Sequence, residues 1–319
     1  MVPRDVKESF KTHSPDGKKT PTRDWTLKLF DFHERNKGQD DKPITGEYID
    51  GVLLPTLIKP GDVVALRQEL KLRETDVFVA TFPKCGTTWT QQIVKLIWSG
   101  GREDGRDVDE ALPWIDVTKP HELDDMPSPR GFKTHLPYHL CPGGDPRQSP
   151  AKYIYVYRNP KDTMVSNYHF SVKFLPEDMP WSNYYKMMLS GDVYFGNIFD
   201  HMRGWYIHKD LPNVLIISYE MLKKDSFNMI KKISDFLGYQ LQDDVIADIT
   251  KLTSFEKMRG NELANNSWMD KYRREGAGFM RKGVIGDWKS LFSEEESIEI
   301  DEIIKEKLSD IGLVFDYDP

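Results

Sequence analysis

The sequence predicts an α/β fold: a single doubly wound domain whose central parallel sheet is flanked by helices. Three observations predict it. Apolar runs at Val77-Phe-Val-Ala, Lys152-Tyr-Ile-Tyr-Val-Tyr-Arg and Val214-Leu-Ile-Ile-Ser-Tyr are continuous rather than alternating, as in strands covered on both faces. Helical patterns separate them, which argues for parallel strands with crossover helices. One strand-to-helix junction, Thr81-Phe-Pro-Lys-Cys-Gly-Thr-Thr-Trp, has the composition of an anion cradle.

At that junction Pro83 stiffens the strand end and Gly86 permits backbone angles that other residues avoid. Lys84 adds a positive charge. Thr87 and Thr88 add hydroxyls where the helix Thr90-Gln-Gln-Ile-Val-Lys-Leu-Ile-Trp begins. A plain βα turn with an incidental lysine is the alternative. The order of residues departs from the nucleotide-kinase pattern, in which Lys follows the last glycine and Ser or Thr follows Lys.

Before the cradle, residues 1–40 are polar and weakly periodic and read as a flexible extension; 41–319 form the domain. Residues 46–60 hold an apolar patch and 62–69 a short helix. After the cradle, 100–109 is a charged, glycine-bearing loop and 111–129 a proline-rich stretch without a clear element. Gly131-Phe-Lys-Thr is a short strand ending at His135. Asn159-Pro-Lys-Asp opens a helix with proline in its first turn. Residues 224–237, 242–249 and 253–259 read as helices. The stretch 260–286 is long and polar, as lids and binding loops are. Ser293-Glu-Glu-Glu is a capping box ahead of Ile300, Ile303, Ile304, Leu308 and Ile311 at helical spacing.

Composition narrows the function. The chain has 319 residues, a net charge of −7, 30% charged and 39% hydrophobic residues. A general affinity for nucleic acid is not expected, so an anion site must be locally basic. No apolar run approaches the ~20 residues of a membrane span, and the first residues lack a signal peptide's apolar core. Two cysteines, Cys85 and Cys141, suit a reducing cytoplasmic setting, with Cys85 open to oxidation.

Three further segments carry chemistry, each beside a strand end or in the long loop. Lys133-Thr-His-Leu-Pro sets a lysine and a histidine two apart on an extended segment, on one side of it. His135 is a candidate general base, with His139 and His169 as competitors. Arg158 ends a strand, where its fork can grip a phosphate, and Ser166 follows on the helix; an ion pair with Asp162 is the alternative. Phe279-Met-Arg-Lys-Gly brings a second pair of cations before a glycine. Two basic anion sites and a histidine imply a ligand with two separated phosphate groups.

From about Tyr48 onward the sequence resembles the cytosolic sulfotransferases. The matching segments, in order, are Thr-Phe-Pro-Lys-Cys-Gly-Thr-Thr-Trp, Lys-Thr-His-Leu-Pro, Tyr-Arg-Asn-Pro-Lys-Asp with Ser166, Thr253-Ser-Phe with Met258, and Phe-Met-Arg-Lys-Gly-x-x-Gly-Asp-Trp. The resemblance implies transfer of a sulfonate from 3′-phosphoadenosine 5′-phosphosulfate (PAPS) to a small phenol, steroid, alcohol or amine, releasing 3′,5′-bisphosphoadenosine (PAP) without a metal. It implies that Lys84, Gly86, Thr87 and Thr88 bind the phosphosulfate in a P-loop-like turn. Trp89, Tyr219, Thr253 and Phe255 would hold the adenine. Arg158, Ser166, Arg281, Lys282 and Gly283 would hold the 3′-phosphate, and Met258, Phe279 and Met280 would also belong to the nucleotide site. His135 would be the base, with Lys84 and Lys133 stabilising charge, and Phe132 and Phe170 would line the acceptor pocket. A nucleotide kinase and a non-catalytic nucleotide-binding protein are the competing readings. Two features depart from the family. Cys85 replaces a small residue, and Ser293, Glu294 and Ile298 replace Thr, Val and Glu of the dimer motif that starts at Lys289. A monomer or a non-standard homodimer is therefore expected.

Overall fold

The computed structural model describes residues 44–172, 179–267, 269 and 278–318. The expected extension, 1–40, and the centre of the long loop lie outside them.

A hairpin comes first. Strands β1 (Gly46–Ile49) and β2 (Val52–Pro55) pair antiparallel. Asp50 and Gly51 join them with φ of 47° and 80°, the positive pair that a two-residue hairpin turn requires. Helix α1 (Pro60–Glu69) follows.

The sheet has four parallel strands, β3 (Val77–Thr81), β4 (Gly131–Thr134), β5 (Lys152–Tyr157) and β6 (Val214–Ser218), in the order β4-β3-β5-β6. Its two faces are buried in separate cores, which is why the strands read as unbroken apolar runs. On one face Val77, Val79, Ile154, Val156, Leu215 and Ile217 meet three helices, α2 (Thr87–Trp98), α8 (Ser226–Leu237) and α9 (Asp243–Leu252). On the other, Phe78, Phe132, Tyr153 and Tyr155 meet α4 (Pro160–Ser171), α5 (Trp181–Ser190), α6 (Ile198–Tyr206) and α11 (Glu294–Leu308). Short helices α3 (Val108–Ala111), α7 (Tyr219–Lys224) and α10 (Phe255–Arg259) complete the set.

The chain leaves β3 toward β4 on one side and β5 toward β6 on the other. The crevice between the carboxyl ends of β3 and β5 is thus a topological switch point, where ligands bind in open α/β sheets. Local sequence starts the helices that border it. Asn159 caps α4 by accepting the Asp162 N–H at 2.7 Å, with Pro160 in the first turn. The expected capping box opens α11: Ser293 and Glu296 exchange side-chain-to-backbone bonds of 3.1 and 3.0 Å.

Helices α5 and α6 go unassigned by the sequence reading, and 111–129 folds as two 3-10 turns, Ile115–Val117 and Pro120–Leu123. No helix among the described residues is long and apolar enough to cross a membrane.

At the opposite end of the sheet a buried ion pair joins the entries to β3 and β4. Arg130 donates from Nε and Nη2 to the two Asp76 oxygens at 2.8 and 2.5 Å, and from Nη1 and Nη2 to the Leu123 and Lys71 carbonyls. Both residues are fully buried. Arg130→Ala strands the Asp76 charge and is expected to cost about 3–5 kcal/mol in denaturant unfolding; a loss below about 1 kcal/mol would show that the pair is not holding this end together.

Candidate active site

The loop after β3 makes a tight turn into α2 with the geometry of an anion cradle. Lys84 has φ 71° and Gly86 has φ 101°. A positive φ is uncommon for a residue with a Cβ and clusters at ligand-binding turns. At Gly86 a Cβ would also stand 3.0 Å from the Tyr219 ring, so a side chain there would be strained in angle and tight against that ring. The first helical bond of α2 runs from Thr90 N–H to the Gly86 carbonyl at 3.0 Å, which leaves the preceding N–H groups without helical acceptors. The hydroxyls of Thr81 and Thr87 are 2.6 Å apart, and the Thr88 hydroxyl accepts from Asn266 at 3.0 Å. The Lys84 ammonium lies over the rings of Phe279 and Phe170, 4.0 and 4.6 Å from their centroids.

Cys85 does not fit the expectation of an oxidation site. Its thiol is fully buried and 3.6 Å from the Thr163 hydroxyl. Burial pushes it up to about 12, which keeps it as the inert thiol.

His135, just past β4, is held from three sides. Its backbone N–H donates to Asp116 Oδ2 at 2.8 Å. Its Nδ1 lies 2.9 Å from the Thr81 carbonyl oxygen and 3.2 Å from the Thr81 hydroxyl; the carbonyl can only accept, which assigns the proton to Nδ1 and the lone pair to Nε2. The rings of Phe195 and Trp114 stand 5.3 and 5.8 Å away. Burial, with the nearby Lys133 charge, depresses the imidazole to about 3, so it is neutral in neutral solution. Of its competitors, His139 is exposed in the turn Tyr138–Leu140, and His169 lies in the last turn of α4 against Tyr168. Lys133, in β4 two residues before His135, carries a counter-ion that the sequence reading omits: its ammonium is 2.5 Å from Asp109 Oδ1.

At the end of β5 the guanidinium of Arg158 stacks over Tyr219, 4.4 Å from the ring centroid. Its Nη2 donates to the Val284 carbonyl at 2.8 Å and lies 3.6 Å from Asp162 Oδ2. The ion pair offered as the alternative is therefore present, yet the buried Nε has no hydrogen-bond partner among the described residues. Asp162 is turned elsewhere, accepting the N–H groups of Gly286 and Trp288 at 2.9 Å each. That bond fixes the segment carrying Arg281 and Lys282, whose cations both rest on Asp287. Ser166 is half-buried in the second turn of α4.

Trp89 and Tyr219 pack edge to face at 5.5 Å, and the buried Trp89 Nε1 has no partner among the described residues. Phe255 lies against Gly283, where a Cβ would come within 2.3 Å of its ring. Thr253 is buried and bonds the Ile249 carbonyl; Met258 is buried, and Met280 is half-buried. One expected lining residue is misplaced. Phe132 is fully buried against Phe78 and Arg130, within the core below the strand end. Phe195 and Trp114 stand beside His135 instead. The sequence reading also misses Asp116 and Glu220, and the bonds of Asp162 to Gly286 and Trp288, all of which join residues distant along the chain.

A sulfotransferase-domain family model matches residues 74–312. The chain is 39% identical over 261 residues to an amine sulfotransferase of Oryctolagus cuniculus, covering 78% of this chain and 86% of that one. It is 35% identical to sulfotransferase 2A1 of Homo sapiens, covering 83% and 95%. Its fold is similar to that of mouse sulfotransferase SULT7A1 complexed with PAP (TM-score 0.69, 32% identity, 83% of this chain and 95% of the other). It is also similar to retinol dehydratase in complex with androsterone and the inactive cofactor PAP (TM-score 0.71, 26% identity, 80% and 86%). By these matches the chain belongs to the sulfotransferase family and is a PAPS-dependent sulfotransferase.

Proposed function

We propose that this enzyme moves the sulfonate of PAPS to a hydroxyl or amine of a small molecule, by in-line attack on sulfur with His135 as general base. The observation that carries the reading is the His135 tautomer. Nδ1–H is committed to the Thr81 carbonyl, so Nε2 is the nitrogen with a lone pair for the acceptor's proton. His135 takes that proton as the bond from acceptor to sulfur forms. The bond from sulfur to the bridging oxygen breaks, and that oxygen leaves with PAP. Lys84 and the N–H groups at the start of α2 hold the charge that develops on it. Lys133, paired with Asp109, contributes from the next strand.

The residues present fit the nucleotide. The turn at Lys84–Gly86 suits the 5′-phosphate, and an anion beside Arg158 would satisfy its orphaned Nε. Arg281 and Lys282 complete that 3′-phosphate site, with Ser166 and Gly283 beside them; Trp89, Tyr219 and Phe255 offer faces and edges to the adenine. Phe170, Phe195 and Trp114 line the acceptor side. The relative named an amine sulfotransferase and the neighbour holding androsterone, a hydroxysteroid, support small amine and hydroxyl acceptors. Two buried free thiols suit the cytoplasm. Ser293 is spent on capping α11 and Ile298 is exposed, so we propose a monomer, or a homodimer joined elsewhere.

His135→Ala is expected to lower turnover by about 100-fold or more with an aliphatic alcohol, and by much less with an acidic nitrophenol already ionised in the assay. Equal losses for the two acceptors would overturn the base assignment. Arg158→Ala is expected to raise the Kd for PAP at least about tenfold in calorimetry, since a charge-assisted bond contributes roughly 1.5–3 kcal/mol. An unchanged Kd would remove Arg158 from the site.

A further inference from the structure

Glu220, in the first turn of α7, is buried beneath the turn that aims Arg158. Its Oε1 accepts from both nitrogens of Asn159, the backbone N–H at 2.9 Å and Nδ2 at 3.1 Å. Its Oε2 is also buried and has no hydrogen-bond partner among the described residues. The Asn159 donors and its own backbone N–H support the charged form, but one buried oxygen lacks a partner, and nothing in the proposed transfer chemistry uses it.

The charges around it decide what it does. Arg158 faces it from the β5–α4 turn, Asp162 from the first turn of α4, Tyr219 from its own helix, Tyr157 from β5, Cys85 from the turn after β3 and Tyr317 from the C-terminal segment. Burial raises the phenols and the Cys85 thiol, so these stay neutral near pH 7 to 9. Two carboxylates then share one guanidinium. A phosphate placed on Arg158 adds further negative charge to this cluster, and low dielectric makes that repulsion strong.

We propose that Glu220 is the proton acceptor coupled to nucleotide binding: it takes up a proton when the 3′-phosphate docks on Arg158, and so makes donor affinity depend on pH. This rests on the reading of Arg158 as the 3′-phosphate residue. The proton comes from solvent and no covalent bond is exchanged. Burial already lifts this carboxyl to about 7 without ligand. The bound phosphate lifts it further. Binding is then strongest below the free-state value and weakens as pH rises through the interval between free and bound values, by up to about tenfold per pH unit. Asp162 is less suited to the role, because both its oxygens accept backbone N–H groups.

The test is titration of PAP into the full chain at pH 8, in two buffers of different ionisation enthalpy. At that pH the phosphates, with a second pKa near 6, are already ionised. Wild type is expected to take up more than about half a proton per PAP bound, and its Kd to rise between pH 7 and 9. Glu220→Gln keeps an oxygen for Asn159 and mimics the protonated acid; its uptake is expected to fall to near zero and its Kd to stay flat. Equal uptake in wild type and Glu220→Gln, or none in wild type, overturns the proposal while leaving the phosphate site standing. Unchanged PAP affinity in Arg158→Ala overturns the site reading and this proposal with it.

Discussion

Buried carboxylates accepting backbone N–H groups hold the strand-end loops in register. Asp116 takes the N–H of His135 and, through Oδ1, the Thr134 hydroxyl at 2.5 Å. Asp162 takes two N–H groups from the segment after Gly283. Glu220 takes that of Asn159. Each bond runs between segments remote in sequence, and each fixes the backbone rather than only a side chain. A parallel sheet covered on both faces sends its polar groups to the strand ends, and there loops without ladder partners need such acceptors. Without them His135, Arg158 and the Arg281–Lys282 pair would have no shared frame.

Four of the site's cations arrive already paired with carboxylates. Lys133 has Asp109, Arg158 has Asp162 at longer range, and Arg281 and Lys282 share Asp287. In a chain of net charge −7 this keeps a basic cluster compatible with folding. A phosphate docking there, as proposed, would compete with carboxylates for the same donors. The orphaned Arg158 Nε would need no such exchange, which makes it the natural first contact in that proposal. Affinity would then reflect a difference between ligand and protein counter-ions, not a sum of charge contacts.

The four sheet strands, the tight turn at Lys84–Gly86 and the starts of α4 and α11 are legible in the sequence because each is decided locally. Unbroken apolar runs, Gly86 and the caps Asn159 and Ser293 need no knowledge of distant partners. Two signals were present and unread: Asp50-Gly51 between apolar residues marks the hairpin, and Ile198, Phe199, Met202 and Trp205 lie at the helical spacing of α6. Phe132 misleads because its apolar character suits a pocket and a core equally. Its register opposite Phe78, three residues short of His135, places it in the core. The carboxylates were out of reach for a different reason. Asp162 meets Gly286 across 124 residues and Glu220 meets Asn159 across 61, and no local spacing encodes those approaches.

The most direct test of this account is an experimental structure with PAP bound. The 5′-phosphate is expected on the N–H groups at the start of α2 beside Lys84. The 3′-phosphate is expected on Arg158 Nε, with Arg281 or Lys282 turned from Asp287 toward it. A 3′-phosphate lying clear of Arg158, or a 5′-phosphate away from the turn at Gly86, would contradict it.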